Sequence, residues 1–490
     1  MRALVLGLLL GCAGGRHQAP TAGANLHARD PAATLGDAPP AAAPAPPLRL
    51  PPVTRRQLAN GLRVWTVEHH AVPRVAVVLA VRAGADVDPP GKAGLAALCA
   101  DMLDEGAGGR GALAIAEALD DEGAQLGIST SSAATLLTLW SLSDRANLES
   151  SLAVLGDVVV RPDFARRELD RVRADRLTEI LQGHDEPELV AGHSLAQALY
   201  GKDHVYGSPL IGRTRTLASV KHADVKRFWR AHYRPDNAAL IVAGAIRPDE
   251  LVPMLERALG GWTARPLPPT QAPRAPERRG PRLVIVDRPG APQSEVRLGH
   301  VGLERGHPDE FVVEVLGTLL GGSFASRLNN RLREQLGYTY GAWGGFDLRR
   351  GPGPFVMGAA VRTDATAAAV TEFFAEVHRI REREPADEEV ARARDGLLRS
   401  LPQSFEGASA IATRLADLFA HGLDAEYFDH YVERIGAVTA ADVQRAARDH
   451  IRPEEIHVIV VGDRAALQDL SALDLGVAQV WDAEGNETGR

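Results

Sequence analysis

Apolar side chains recur at helical spacing within the stretch Gly91–Gly106. They stand at positions i, i+3, i+4, i+7 and i+8, namely Leu95, Leu98, Cys99, Met102 and Leu103. This spacing predicts an amphipathic helix with one face turned to the core. A continuous apolar run, Val75–Val81, precedes it and predicts a buried strand, joined to the helix by a turn that contains Gly and Pro.

The same patterns continue through the first half of the chain. Alternation around Asn60-Gly61 predicts two strands joined by a tight turn, since Asn-Gly favours hairpin turns. Further periodic segments predict a helix at Leu113–Glu122, a strand at Ala133–Leu142, and helices at Ala146–Val158 and Arg166–Gln182. This mixture of elements predicts αβ domains.

A segment of the first half recurs in the second half. Residues 222–244 align without a gap on residues 440–462, at an offset of 218 positions. Among the identities in that register, Asp224, Val225, Arg227, Arg230, His232, Arg234, Pro235, Val242 and Gly244 recur as Asp442, Val443, Arg445, Arg448, His450, Arg452, Pro453, Val460 and Gly462. In both copies Arg-Pro ends a helix, because proline cannot continue one. The repeat predicts two homologous αβ domains, at 53–264 and 282–490, joined by a Pro-rich linker at 265–281.

Composition and charge are those of an ordinary globular protein. The chain has 490 residues, of which 45% are hydrophobic and 24% charged, and this length exceeds what one core usually holds. The formal net charge is −8, four of the 55 basic residues are lysine, and the arginines are scattered. A nucleic-acid interface needs a concentrated basic patch, so we expect no nucleic-acid partner.

The N-terminus carries the signals of export. Met1–Cys12 has one cation followed by an apolar run too short to span a membrane, and it predicts a secretory signal. Its end, Leu-Leu-Gly-Cys12, resembles a bacterial lipobox, in which the cysteine is lipidated. Residues 13–52 are rich in Ala and Pro without periodicity and predict a disordered tether. We expect a periplasmic protein anchored by a lipid at Cys12 to the cell envelope, at the outer membrane; ordinary secretion and a misassigned start are the alternatives.

The amphipathic helix also carries a family resemblance. Its flanks, Gly94–Ala96 and Met102–Leu103, are similar to the first helix of the pitrilysin/insulinase-type zinc metallopeptidases, which include relatives of mitochondrial processing peptidase. In that family the helix bears His-x-x-Glu-His, with two zinc ligands and a catalytic glutamate. Aligned without gaps, this chain has Ala97 and Asp101 in place of the histidines and Ala100 in place of the glutamate.

These replacements remove the metal chemistry and keep the helix. Alanine has no ligand atom, and a catalytic zinc needs about three protein ligands and an open position for water. The resemblance implies a third ligand, a glutamate, roughly 75 residues past the motif. Glu179 matches it by local pattern, and Val172 replaces an assisting glutamate. The alternative is that Glu179 is an ordinary exposed residue of a charged helix. We expect no metal ligands and no cofactor in this chain.

A second signature of the same family lies in the second half. Residues 326–340 resemble the pattern S-R-L…L-R-E…G…A-Y, in which an Arg and a Tyr seven residues apart hydrogen-bond the substrate backbone and the developing oxyanion. Arg333 and Tyr340 match that pair without gaps, and Arg331 and Tyr338, with the same spacing, are the alternative. Both side-chain types donate hydrogen bonds, as the role requires. The purely structural alternative is an arginine that caps its own helix and a tyrosine in the core.

The resemblance spans residues 53–467 and implies an α+β fold of two domains, each an antiparallel sheet packed with helices, that close like a clam shell around a peptide. Some bacterial members of the family consist of two chains, one with the zinc motif and one with the Arg/Tyr pair. We expect this chain to be the zinc-free subunit of such a heterodimer, with zinc in the partner and peptides adding a strand to a sheet edge. Two alternatives are a stand-alone peptide-binding or scaffold protein, and an active zinc peptidase that uses Asp101 and Glu179.

Overall fold

The computed structural model of the protein describes residues 51–265, 271–276, 280 and 282–489. The export signal, the lipidation site Cys12 and almost all of the tether at 13–52 lie outside the described residues. Within the described ranges, no helix is long and apolar enough to cross a membrane.

The first half of the described chain builds a six-stranded sheet with the strand order β1-β2-β8-β3-β7-β6. Its strands, with a separate small hairpin of β4 and β5, are β1 (Thr54–Gln57), β2 (Arg63–Glu68), β3 (Arg74–Val81), β4 (Gly106–Ala107), β5 (Arg110–Gly111), β6 (Gln125–Thr130), β7 (Thr135–Leu142) and β8 (Ala238–Gly244). Its helices are α1 (Leu95–Asp101), α2 (Ala112–Asp120), α3 (Arg145–Val160), α4 (Arg166–Gly183), α5 (Pro187–Tyr200), α6 (Thr214–Ala218), α7 (His222–His232) and α8 (Pro248–Leu259).

The second half builds a seven-stranded sheet with the order β11-β12-β10-β13-β9-β14-β15. Its strands are β9 (Leu283–Asp287), β10 (Gln293–Val301), β11 (Thr339–Phe346), β12 (Pro354–Arg362), β13 (His457–Gly462), β14 (Gln479–Trp481) and β15 (Glu487–Gly489). Its helices are α9 (Glu310–Gly317), α10 (Thr366–Glu382), α11 (Asp387–Ser400), α12 (Ala408–His421), α13 (Tyr427–Ala437) and α14 (Ala440–His450), with π-helical segments at Thr318–Gly322 and Asn329–Gln335.

Both sheets are antiparallel except at the strand that follows the repeated helix and, in the second sheet, at β14, which pairs parallel with β9. In the first sheet β8 pairs parallel with β2 and antiparallel with β3. In the second sheet β13 pairs parallel with β9 and antiparallel with β10. Because each of these strands arrives from a helix, it can enter the sheet in either direction, whereas hairpin-linked strands must run antiparallel. The sheets are therefore mixed rather than purely antiparallel.

The sequence repeat is confirmed as a repeat of structure. Helices α7 and α14 begin and end at equivalent residues, and β8 and β13 occupy central places in their sheets. Both helices are capped by the third residue of the helix: Asp224 accepts the backbone N–H of Lys221 at 2.9 Å, and Asp442 accepts that of Thr439 at 3.0 Å. Such boxes satisfy backbone donors that a helix start leaves free.

Each half lends one helix to the other half. Helix α5 of the first half packs on β10 and β13, and α12 of the second half packs on β3 and β8. The contact of α5 contains Leu195, Leu199, Val284 and Ile459, all buried. At α12 the guanidinium of Arg82 donates to the Phe419 carbonyl at 2.8 and 3.0 Å. The two halves therefore share their cores, and neither sheet is covered by its own half alone.

Candidate functional site

The helix that the sequence singled out, α1, begins against a buried carboxylate. Asp88 accepts the backbone N–H groups of Gly94 at 2.8 Å and Ala96 at 2.7 Å, which are donors that the start of a helix leaves free. Burial raises the pKa of Asp88 to about 7, and these two hydrogen bonds act in the opposite direction. Gly94 has φ +91°, and a Cβ there would come within 2.6 Å of the Ile211 carbonyl oxygen. The entry to α1 is thus held from two sides.

Helix α1 ends at Asp101, so Met102 and Leu103 lie beyond it, although both are buried as the apolar pattern predicts. Ala97 and Ala100 are 5% and 1% exposed and present methyl groups where a metallopeptidase of this kind has a ligand and a base. The Asp101 side chain is 28% exposed. Of these positions, only Asp101 offers an atom that could bind a metal.

The Asp101 carboxylate is already bound by an arginine. Arg176 of α4 donates from Nε to Oδ2 at 2.5 Å and from Nη2 to Oδ1 at 2.7 Å, the two-point arrangement in which guanidinium and carboxylate interact best. Glu179 lies one helical turn further, with its carboxylate 3.4 Å from Nη1 of the same arginine. The structure thus brings Asp101 and Glu179 together around Arg176.

The sequence patterns did not predict Arg176 at this site. Arg176 follows Asp101 by 75 residues and Glu179 follows it by 78, and the family resemblance implies a third zinc ligand roughly 75 residues past the motif. The local pattern pointed instead to Glu179, three residues later on the same face of α4. The structure places Arg176, one turn earlier on α4, against the Asp101 carboxylate.

This arrangement does not fit a zinc ion. Burial alone would lower the pKa of Arg176, but the hydrogen bonds and charge of Asp101 raise it above its usual value, so the guanidinium stays charged. A divalent cation beside it would face a permanent positive charge and would compete for the same two carboxylate oxygens. With Ala97 contributing no ligand, the site holds an ion pair in place of a metal centre.

A cavity of about 390 Å³ opens beside this ion pair. Ala97, Asp101 and Arg176 line one side of it, and Ile128–Thr130 of the edge strand β6 line another. A third side is a face of α5 that includes His193. Burial lowers the pKa of His193 to about 4, and the charges of Arg213 and His184 act in the same direction. The cavity therefore offers an apolar space, a sheet edge and a neutral imidazole at pH 7.

Arg333 and Tyr340 lie at a different place, Arg333 in the helical segment Asn329–Gln335 and Tyr340 on the edge of the second sheet. Tyr340 belongs to the edge strand β11, and its side chain is 90% exposed, so it is not a core residue. The Arg333 guanidinium stacks 4.2 Å above the exposed ring of Phe324. Neither residue is among the described residues that line the cavity at α1. Within one chain the structure does not bring this pair to the altered motif.

The alternative pair, Arg331 and Tyr338, has structural partners. Arg331 donates from Nε and Nη2 to the two oxygens of Glu372 at 2.8 and 2.9 Å. Tyr338 is half-buried and packs against the core of the second half. These contacts bind Arg331 and Tyr338 into the fold. The Arg333 and Arg331 side chains are equally exposed, at 32% and 33%. The two pairs differ in the exposure of their tyrosines, since Tyr340 is exposed and Tyr338 is half-buried.

The described residues contain one group of three side chains with metal-ligand geometry, and it lies far along the chain from α1. His307, Asp309 and His450 each place a ligand atom within 4.8 Å of the others. However, Asp309 accepts two hydrogen bonds from Arg445, at 2.7 and 3.0 Å, and one from His450 at 2.6 Å. The hydrogen bonds and charge of Arg445 and His450 hold the pKa of Asp309 well below its usual value. This group works as an ion-pair network between α9 and α14.

The fold and the altered motif helix define a class of protein: a two-domain relative of the zinc peptidases whose motif helix has lost its metal ligands. The chain belongs to the insulinase family, peptidase family M16. The family description "Insulinase (Peptidase family M16)" matches residues 63–213, and "Peptidase M16 inactive domain" matches residues 219–397. The family predicted from the sequence is therefore confirmed.

Relatives and solved structures agree with this assignment. An uncharacterized zinc protease of Mycobacterium tuberculosis is 28% identical over 446 residues, covering 88% of this chain and 98% of the relative. One of Mycobacterium leprae is 30% identical over 311 residues, covering 63% and 69%. A peptidase M16 inactive domain from Pseudomonas fluorescens has the same fold, with a TM-score of 0.78 at 23% identity, covering 84% of this chain and 98% of that one. The predicted α+β fold of two αβ domains is confirmed.

Proposed function

We propose that this chain is the zinc-free, substrate-binding subunit of a heterodimeric M16 metallopeptidase that cleaves peptides or unfolded segments. The observation that carries the proposal is the Asp101–Arg176 ion pair, formed at the motif position that corresponds to the family's second zinc-binding histidine. A chain with this pair cannot activate water on zinc by itself. The zinc and its His-x-x-Glu-His motif belong to the partner subunit.

Arg333 and Tyr340 are the residues through which this chain contributes to catalysis. The exposure of Tyr340 on the edge of the second sheet supports action on a second chain, since a contact in trans needs side chains that reach beyond their own fold, and Arg333 lies in the helical segment that precedes this strand. In the complex they donate hydrogen bonds to the substrate backbone and to the oxyanion, which is where charge develops. Peptides bind in extended form along the exposed edge of β6, beside the cavity at α1.

The test is reconstitution of peptidase activity. The chain is mixed with a homologous subunit from the same genome that carries His-x-x-Glu-His, and hydrolysis of a quenched fluorogenic peptide is followed. We expect Arg333→Ala and Tyr340→Ala to leave the fold unchanged. Each substitution should lower kcat/KM of the mixture by at least tenfold. Arg167→Ala is the matched control, because the Arg167 side chain is 95% exposed and lies on α4.

Two results would contradict the proposal. One is an isolated chain that hydrolyses the peptide or carries one zinc per molecule by elemental analysis. The other is a mixture whose activity is unchanged by both substitutions at 333 and 340. If the genome encodes no zinc-bearing partner and the isolated chain still binds peptides, the stand-alone peptide-binding or scaffold protein is the correct function.

The proposal includes a place in the cell. We propose that the chain is exported, lipidated at Cys12 and held on the periplasmic side of the envelope by the segment at 13–52. A diacylglycerol thioether with an added acyl chain gives a firm anchor, since stable anchoring takes more than one chain. Mass spectrometry of the mature N-terminus tests this directly: an unmodified residue there would exclude the anchor.

A further inference from the structure

The turn that joins the last two strands reaches across to the first half of the protein. This C-terminal turn, Asp482–Asn486, lies between β14 and β15 at the edge of the second sheet. Its residues Ala483, Glu484 and Gly485 form part of the wall of the cavity that contains Ala97 and Asp101. A segment near the end of the chain thus closes one side of the altered motif site.

The C-terminal turn is held in one shape by its own hydrogen bonds. The Asp482 carboxylate accepts the backbone N–H of Glu484 at 3.0 Å and that of Asn486 at 2.8 Å. The Asn486 amide donates to the other Asp482 oxygen at 3.0 Å, and the Gly485 N–H donates to the Asp482 carbonyl at 2.9 Å. An aspartate that binds its own backbone in this way makes a stable turn. The turn is therefore preorganised for docking.

Four side chains of the first half bind this turn, and we call them the cradle: Gln197, Lys202, Arg213 and Thr214. Gln197 donates to the Gly485 carbonyl and Arg213 to the Glu484 carbonyl, each at 2.7 Å.

The other two cradle residues bind side chains of the turn. The Thr214 hydroxyl donates to the Glu484 carboxylate at 2.6 Å, and Lys202 donates to the Asn486 amide oxygen at 2.9 Å. Together, the four contacts recognise two backbone carbonyls, one carboxylate and one amide.

A glycine with a left-handed backbone lies at the centre of this contact. Gly485 has φ +79°, a conformation that residues with a Cβ rarely adopt, and a Cβ there would lie 2.4 Å from Oε1 of Gln197. Gly476, in the same C-terminal segment, has φ +80° but no atom within 4 Å of where its Cβ would stand. A substitution at either glycine therefore meets the same backbone strain, but only a Cβ at position 485 would contact the cradle.

The cradle is a costly arrangement unless something fills it. Gln197 is 6% exposed, and burial lowers the pKa of Arg213, which the charges of Glu484 and Asp482 oppose. Buried donors of this kind lose free energy when they have no acceptor. The turn supplies the acceptor for buried Gln197 and one of the acceptors for Arg213, and a peptide with the chemistry of the turn could supply the same acceptors.

We infer that the cradle is a binding site for acidic, turn-forming peptide segments, and that the C-terminal turn is its built-in ligand. While the turn is docked, it closes one wall of the cavity beside α1. A peptide that presents two adjacent carbonyls and a glutamate displaces it and opens that wall. This inference concerns the isolated chain and does not rest on the proposed partner.

The experiment uses the whole chain and a synthetic, fluorescently labelled peptide of sequence Val-Trp-Asp-Ala-Glu-Gly-Asn-Glu-Thr, the chain's own residues 480–488. Binding is measured by fluorescence anisotropy to the unmodified chain, to Gly485→Ala and to the control Gly476→Ala. We expect Gly485→Ala to bind the peptide at least tenfold more tightly than the unmodified chain, because its own turn has left the cradle. Gly476→Ala should bind like the unmodified chain.

A second peptide and a second variant complete the test. The peptide with Gln in place of its first Glu should bind Gly485→Ala at least threefold more weakly, since it loses the carboxylate at Thr214. Thr214→Val, which removes the hydroxyl and keeps the shape, should speed hydrogen exchange of the turn's amides by at least threefold. Equal peptide binding by all chains, or unchanged exchange in both Gly485→Ala and Thr214→Val, would overturn the inference.

Discussion

The Asp101 carboxylate accepts two hydrogen bonds from a single guanidinium and thereby gains a cation that belongs to the protein. A metallopeptidase of this family instead binds a zinc ion from solution at this motif, held by three side chains. At the scale of single residues, loss of zinc chemistry thus requires few changes: an alanine that offers no ligand and an arginine that occupies the remaining one. The guanidinium of Arg176 thus balances the negative charge of Asp101 without a metal ion.

If Arg176 takes the place of a metal ion beside Asp101, restoring the two histidines alone should not restore tight zinc binding. Ala97→His with Asp101→His places two imidazoles one turn apart on α1, but the cation at Arg176 opposes a second cation. We expect that adding Arg176→Glu increases the affinity for zinc at least tenfold, measured by competition with a chromogenic chelator. Adding Arg167→Glu, the same change at an exposed position of α4, should not. Equal zinc affinity in both triple variants would contradict this account.

The neutral imidazole of His193 predicts a dependence of stability on pH. Its pKa of about 4 in the folded protein lies below the value near 6.5 in the unfolded chain, so the unfolded chain binds the proton more readily. This contribution to stability is complete above pH 6.5 and is lost as the pH falls towards 4. The variant His193→Gln cannot take up this proton. Relative to that of the unmodified chain, we expect its free energy of unfolding to be about 2 kcal/mol higher at pH 5 than at pH 7.5.

The measurement is urea unfolding at the two pH values. His430→Gln, on the exposed surface of α13, is the matched control for the loss of a histidine. If the unfolding free energy of His193→Gln falls between pH 7.5 and 5 as steeply as that of the unmodified chain, another group causes the loss.

At the scale of elements, the repeated helices of the two halves begin with similar N-terminal caps. The repeated helices α7 and α14 both use an aspartate in the first turn to accept the N–H of the residue before the helix. Only the second copy has a full side-chain cap, because position 439 is threonine and the equivalent position 221 is lysine. Thr439 accepts the N–H of Asp442 at 3.2 Å, and its hydroxyl donates to the same carboxylate at 2.6 Å.

We expect Thr439→Ala to lower the free energy of unfolding by about 1 kcal/mol, the usual value of a lost N-terminal cap. Thr371→Ala is the matched control: Thr371 is exposed in the middle of α10, where its hydroxyl only bonds back to the Ala367 carbonyl at 2.9 Å. Alanine favours a helix interior, so that change should be neutral or stabilising. Chemical denaturation of both variants gives the comparison, and an equal loss in the two would refute the capping role.

At the scale of the whole molecule, the exchange of α5 and α12 makes the halves depend on each other. Leu415 of α12 is 3% exposed and belongs to the same buried cluster as Val78 and Ile241 of the first sheet. Separating the halves would expose the faces that these helices cover. The unit that folds is therefore larger than either αβ domain, even though the sequence repeats once per domain.

We expect residues 53–264 and 282–490, produced separately, to be largely unfolded or aggregated, and to form a soluble complex when produced together. Circular dichroism and size-exclusion chromatography measure this. Within the intact chain, Leu415→Ala should cost about 2–5 kcal/mol, as buried leucines usually do. Leu181→Ala, at a leucine that is 59% exposed, should cost little. Two halves that each fold alone with native stability would show that the exchanged helices are dispensable.

The sequence by itself determined what depends on neighbours along the chain. The apolar periodicity located α1, α3 and α4, the run before α1 located β3, and the repeat located α7 and α14 with the strands that follow them. The motif positions Ala97 and Ala100 already excluded a metal ligand, because an alanine offers none in any fold.

Only the tertiary structure decided the contacts between distant segments. It placed Arg176 rather than Glu179 against Asp101, bound Arg331 to Glu372 and stacked Arg333 on Phe324, and set the C-terminal turn against the cradle. It also decided which helix covers which sheet. These outcomes depend on distances between elements that lie far apart in sequence, and local spacing does not contain them.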